Sequence, residues 1–148
     1  EELDAAIHSC MDRQAPDFVF HSAADGDERR LSRYDGHVVL VNFWATFCNP
    51  CVRELPALDS LNGRYAGNGL IVLLLSGEPR DTVVQFLESR HCRATGGYYL
   101  NAGMPNVPYR ASPLIPATFV IDRHGILRER IDGYHEYAYY EAVIRKYL

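Results

Sequence analysis

Residues 38–58 read VVLVNFWATFCNPCVRELPAL. Val38 to Trp44 is a nearly continuous apolar run broken only by Asn42, the pattern of a strand covered on both faces. From residue 50 the period changes. Val52, Leu55, Leu58 and Leu61 recur at helical spacing, which predicts a helix over 50–66 with a kink at Pro56. Cys48 and Cys51 stand between the two periods as a C-x-x-C, Cys48 just past the strand and Cys51 in the first helical turn. Free N–H groups and the positive end of the helix dipole then face the Cys48 sulfur and favour its thiolate. The thiolate is the nucleophile of disulfide exchange. Cys51, one turn on, can attack a mixed disulfide formed on Cys48. Pro50 lacks an N–H, which suits a first helical turn, and with Asn49 it forms the loop between the sulfurs. The bland alternative is a pair of inert buried thiols, or half of a zinc site.

The rest of the chain supplies the layers. Leu3, Ile7, Cys10 and Met11 predict a short amphipathic helix over 3–11, ended by Ala15-Pro16-Asp17, and Phe18 to Phe20 begin an extended segment. Residues 21–36 are polar, with a turn signal at Asp25-Gly26-Asp27. Leu70 to Leu75 is a second buried strand, and Asp81 opens a helix to about His91. Residues 93–116, with Gly96-Gly97 and four prolines, read as irregular. Residues 117–122 and 126–131 form a hairpin around Arg123-His124-Gly125, and 135–148 is a closing helix with Tyr137, Tyr140, Ile144 and Leu148 on one side. The order βα, βα, loop, ββ, α predicts an α/β fold: a mixed sheet, parallel strands first and an antiparallel hairpin last, flanked by helices.

Composition excludes several classes of function. A chain of 148 residues suits one domain, here 1–148 with residues 1–15 as an N-terminal helical extension. With 47% hydrophobic and 23% charged residues it has the balance of a globular protein. Fifteen basic against nineteen acidic residues give a net charge of −4, scattered along the chain, so there is no basic footprint for nucleic acid. No apolar run approaches the roughly 20 residues that cross a bilayer. Glu1 in place of methionine implies a processed or trimmed start, and no signal peptide is visible. Four cysteines are too few for a disulfide scaffold.

The 38–58 stretch resembles the thioredoxin superfamily. Thioredoxins proper carry W-C-G-P-C and an aspartate before Phe-Trp; this chain has Phe47-Cys48-Asn49-Pro50-Cys51, and Asn42. The pattern N-F-W-A-T-x-C-x-P-C-x-x-E-x-P, ending in Glu54 and Pro56, is similar to the TlpA/ResA/DsbE-like thiol–disulfide oxidoreductases, as are Ala15-Pro16-Asp17-Phe18 and residues 115–122 (IPATFVID). The resemblance spans about residues 15–147.

It implies a thioredoxin fold and a thiol–disulfide oxidoreductase in which Cys48 attacks and Cys51 resolves. It implies a cis bond before Pro116, exposing the backbone of Ile115 for a substrate strand, and a glutamate beside the cysteines, matched by Glu78. With Asn42 in place of the buried aspartate, Glu78 is the expected acid–base partner of Cys51. Phe47 is expected on the docking surface; Trp44 either packs in the core or touches substrate. No cofactor is expected, because the dithiol holds the electrons, and no bound metal. Partners would be a protein disulfide and a membrane thiol donor. The setting would be extracytoplasmic, the chain a monomer, and the direction reductive, as in cytochrome c maturation or a similar assembly pathway. The stretch from Tyr98 to Ser112 is the expected specificity element. Two other classes compete: a copper-chaperone-like metal module using Cys48 and Cys51, though no histidine stands in an obvious ligand motif, and a peroxidase, which would use a single cysteine in another motif. Cys10 and Cys92 either form a second disulfide or are free thiols.

Overall fold

A computed structural model of the chain describes residues 2–99, 106–110 and 114–148. Seven strands form one sheet: β1 (Val19–Ser22), β2 (Glu28–Arg30), β3 (Val38–Phe43), β4 (Leu70–Ser76), β5 (Thr95–Tyr98), β6 (Ala117–Ile121) and β7 (Leu127–Asp132). Their spatial order is β2-β1-β5-β4-β3-β6-β7. The β3–β4 and β4–β5 pairs are parallel; the others are antiparallel. Among the described residues four α-helices accompany them: α1 (Glu2–His8), α2 (Asn49–Tyr65), α3 (Arg80–Ser89) and α4 (Tyr137–Arg145). None is long and apolar enough to cross a membrane among the described residues.

The two faces of β3 explain its sequence. Val38 and Leu40 join Leu55 and Leu58 of α2, Val83 and Leu87 of α3, and Tyr140 and Ile144 of α4 in one core. Val39, Val41 and Phe43 join Phe18, Phe20, Tyr109 and Phe119 in the other. A strand roofed on both sides is apolar nearly throughout: all six residues of β3 are buried, and its one polar residue, Asn42, donates hydrogen bonds to Glu54 and Thr118. Tyr109 docks the 106–110 segment on the second core. Its ring meets Phe18 at 4.9 Å and its hydroxyl donates to the Pro16 carbonyl at 2.6 Å.

Two strands depart from the sequence reading. β5 lies inside the stretch read as irregular. Gly96 and Gly97 are not a turn there: a Cβ on Gly97 would sit 2.8 Å from Phe20 and 2.9 Å from Leu75, and one on Gly96 would overlap Leu87. Glycine is what lets this strand pass so close to its neighbours. β2, with sequence Glu-Arg-Arg, is a charged edge that pairs with β1 alone. Of the expected specificity stretch from Tyr98 to Ser112, residues 100–105 and 111–112 lie outside the described residues.

Candidate active site

The sheet sets the site. Phe43 ends β3 and pairs with Ala117, the first residue of β6, so the loop leaving β3 and the residues entering β6 stand side by side. Trp44 N–H donates to the Leu75 carbonyl (3.1 Å), anchoring the start of that loop to β4. Cys48 is then the N-cap of α2. Its Sγ accepts from the Cys51 N–H at 3.3 Å, and the Val52 N–H donates to its carbonyl. Pro50 occupies the first turn, where no intrahelical bond is lost.

Cys48 and Cys51 are joined by a disulfide. The two sulfurs differ in access: Cys48 is half-buried, whereas Cys51 is 1% exposed. An incoming sulfur reaches Cys48. The Ile115 carbonyl oxygen lies 3.8 Å from the Cys48 Sγ, the Ile115–Pro116 peptide bond is cis, and Pro116 is buried behind it. Asn49 is exposed between the sulfurs, and Phe47 projects beside Cys48 with 78% of its surface exposed.

Trp44 separates from this surface. It is 2% exposed and tilts against Phe86 of α3 at 5.7 Å, so it supports the loop from beneath and offers nothing to a docked chain. Of the two roles open to it in the sequence, the structure shows the packing one.

Two carboxylates stand near the dithiol. Glu78, just past β4, accepts from the Thr46 N–H (2.9 Å), the Thr46 hydroxyl (2.7 Å) and the Ser76 hydroxyl (2.8 Å). It buckles the loop before Cys48 to the end of β4. None of these bonds reaches a sulfur. Glu54 lies three residues past Cys51 on the same buried face of α2, about 4.5 Å along the axis. It is fully buried. One oxygen accepts from the Tyr140 hydroxyl (2.5 Å) and the His135 N–H (2.8 Å), and the other from Asn42 Nδ2 (3.2 Å). Asn42 Nδ2 also donates to the Thr118 hydroxyl at 2.9 Å. Burial pushes the Glu54 carboxyl above its ordinary range, against the pull of these three donors.

Glu54 stands within the motif, and the sequence alone assigns it no role. A signal was present: residues 51, 54, 55, 58 and 61 are the buried stripe of α2, so a carboxylate sits in an apolar row. Among the described residues no group of three His, Cys, Asp or Glu side chains is placed to hold a metal ion. Cys10 and Cys92 are free thiols.

A buried strand end, a helix capped by one sulfur of a C-x-x-C disulfide and a proline loop facing it define a thioredoxin-fold thiol–disulfide oxidoreductase. The sequence model of the AhpC/TSA family matches residues 11–130, and the chain belongs to that family. Among curated relatives it is similar to the thiol-disulfide oxidoreductase ResA of Geobacillus kaustophilus, with 38% identity over 125 residues, 80% of this chain and 67% of that one. A second ResA, from Halalkalibacterium halodurans, is 30% identical over 113 residues, 76% of this chain and 62% of the relative. Among solved structures, one assigned as the thiol:disulfide interchange protein DsbE of Chlorobium tepidum superposes with a TM-score of 0.76 at 25% identity, covering 90% of this chain and 92% of that one. A thiol:disulfide interchange protein from Bacteroides sp. reaches a TM-score of 0.81 at 17% identity, covering 93% and 90%, and there the likeness is of fold.

Proposed function

We propose that this chain is an extracytoplasmic reductant of protein disulfides, serving cytochrome c maturation or a similar assembly pathway. The observation that carries the reading is the asymmetry of the dithiol. One sulfur is reachable and caps a helix N-terminus; its partner is buried one turn further on beside a carboxylate.

The reduced enzyme would start with Cys48 as thiolate, held by the α2 N-terminus and the Cys51 N–H. It attacks one sulfur of the substrate disulfide. That S–S bond breaks, a mixed disulfide forms on Cys48, and the leaving sulfur takes a proton. Cys51 then loses its proton and attacks the Cys48 sulfur. The mixed disulfide breaks and the second substrate thiol leaves. Two electrons have passed to the substrate, and Cys48–Cys51 is oxidised. The dithiol carries these electrons, so no bound cofactor enters. A second protein, a membrane thiol donor, would reduce the enzyme again.

For the Cys51 proton this reading assigns Glu54 in place of Glu78, the partner expected from sequence. Glu54 shares the buried helix face with Cys51, and burial raises its affinity for a proton, which suits it to take one from a thiol. Glu78, with both oxygens engaged by Thr46 and Ser76, would position the loop that presents Phe47 and Cys48.

Trapping with Cys51→Ala tests the function, since a mixed disulfide on Cys48 then has no resolving thiol. Stable disulfide-linked adducts with protein substrates are expected, dissolved by dithiothreitol and missing from Cys48→Ala. No adduct from any protein disulfide would overturn the reading. Titration against glutathione tests the direction: a potential near −120 mV would make the protein an oxidant.

A further inference from the structure

Among the described residues four large apolar side chains are exposed: Phe47 (78%), Leu114 (72%), Tyr134 (41%) and Tyr139 (44%). They are not scattered. Phe47 adjoins Cys48 in the chain. Leu114 precedes Ile115, whose carbonyl oxygen stands 3.8 Å from the Cys48 Sγ. Tyr134 follows Gly133, whose N–H donates to the Pro116 carbonyl at 2.9 Å. The Tyr134 ring also carries the Arg53 guanidinium, 5.2 Å from its centre, two residues beyond Cys51 on α2. Tyr139 stacks on His135, in the same loop as Tyr134. Among the described residues no other large apolar side chain is as exposed, so exposed apolar surface gathers around the reachable sulfur of the dithiol.

We infer that Phe47, Leu114 and Tyr134 form a specificity rim for protein disulfides whose cysteines are flanked by large apolar side chains in an extended segment. The inference rests on the reading of the dithiol as a reductant and adds the chemistry of its substrate. Disulfide exchange forces the occupant of this surface to bring a sulfur to Cys48. The three side chains come from three separate loops, which meet where the Ile115 carbonyl stands beside the Cys48 sulfur and the Gly133 N–H bonds to Pro116. A segment lying across Cys48 would set its flanking residues against them. Glutathione disulfide has no large apolar side chain to offer the rim. Arg53 adds a positive margin on the Tyr134 side, unfavourable to a lysine-flanked cysteine.

The test uses the reduced full chain and a set of disulfide-bonded peptides identical except at the cysteine flanks, which are Leu/Phe, Glu or Lys, together with glutathione disulfide. Second-order rate constants are read from substrate thiol release. Covering one or two apolar side chains is worth about tenfold or more. The Leu/Phe peptide is therefore expected to react at least about tenfold faster than the Lys peptide and than glutathione disulfide. Leu114→Ser and Tyr134→Ser, singly and together, should collapse these ratios towards one. Equal rates for all peptides, or ratios untouched by both substitutions, would overturn the rim. So would concentration-dependent dimers abolished by the same substitutions, since the occupant would then be a second copy of this chain. Failure to reduce any disulfide has a different meaning: it would remove the reductase reading itself.

Discussion

Glu54 poses a problem that its surroundings only partly solve. A carboxylate removed from water loses several kcal/mol of hydration unless it is compensated or takes up a proton. Tyr140, His135 and Asn42 together donate three hydrogen bonds to it, yet burial still wins and the proton is held more tightly than in water. A raised carboxylate favours folding while it is protonated. That contribution is complete below the unfolded carboxylate value and is lost as pH rises through the folded one. Urea unfolding of the oxidised protein should therefore show stability falling with pH above about 4.5, and Glu54→Gln should flatten that decline. In the reduced protein the same substitution should slow resolution of a mixed disulfide by about 100-fold, with a smaller effect on the first attack by Cys48. Stopped-flow rates against pH check both. An unchanged resolution rate would return the role to Glu78, whose own substitution should instead weaken both steps by loosening the loop. The dithiol was legible in the sequence because strand, cysteines and helix are contiguous. This carboxylate's environment was not, because Asn42, His135 and Tyr140 come from 12, 81 and 86 residues away.

Elements were legible in proportion to the burial of their own pattern. β3, β4, α2 and β6 declare themselves, since each is either apolar at nearly every position or striped at helical spacing. β5 and β2 do not. Thr-Gly-Gly-Tyr and Glu-Arg-Arg carry turn and surface signals, and each becomes a strand because a neighbour supplies the pairing. A contrast between two glycines tests this account. At Gly97 a Cβ meets Phe20, Leu75 and the His21 carbonyl within 3.0 Å, and all three lie in packed strands or core. Gly97→Ala should cost about 1–3 kcal/mol, as overpacking does. Gly63 lies within α2 with nothing near its Cβ position. Gly63→Ala should stabilise by about 0.5–1 kcal/mol. Denaturant midpoints at unchanged m-value would read both. Equal effects at the two sites would mean that β5 does not need its close approach.

At the scale of the whole molecule the sheet acts as a partition, and it decides the two cysteines that the sequence left open. Cys92, past the end of α3, packs against the core shared by α2, α3 and α4. Cys10, just past α1, packs against the opposite core with Met11, and its Sγ lies 3.5 Å from the Ala6 carbonyl. A bond between them would have to pass through a layer of paired strands, so the earlier alternative of a second disulfide gives way to two free thiols. Burial, with Asp59 as a lesser cause, holds the Cys92 thiol above its ordinary range, which makes it a slow nucleophile. Denatured oxidised protein should titrate two thiols and reduced protein four, and a non-reducing peptide map should contain the Cys48–Cys51 link without any peptide joining Cys10 to Cys92. In the native state alkylation of Cys92 should lag well behind that of reduced Cys48. Stability gives an independent reading. Cys10→Ala and Cys92→Ala should each cost about 1 kcal/mol, the scale of a partly buried side chain, whereas loss of a structural disulfide costs about 2–5 kcal/mol. If both substitutions cost the larger amount, and cost no more together than apart, the two sulfurs are bonded and the partition argued from the sheet is wrong.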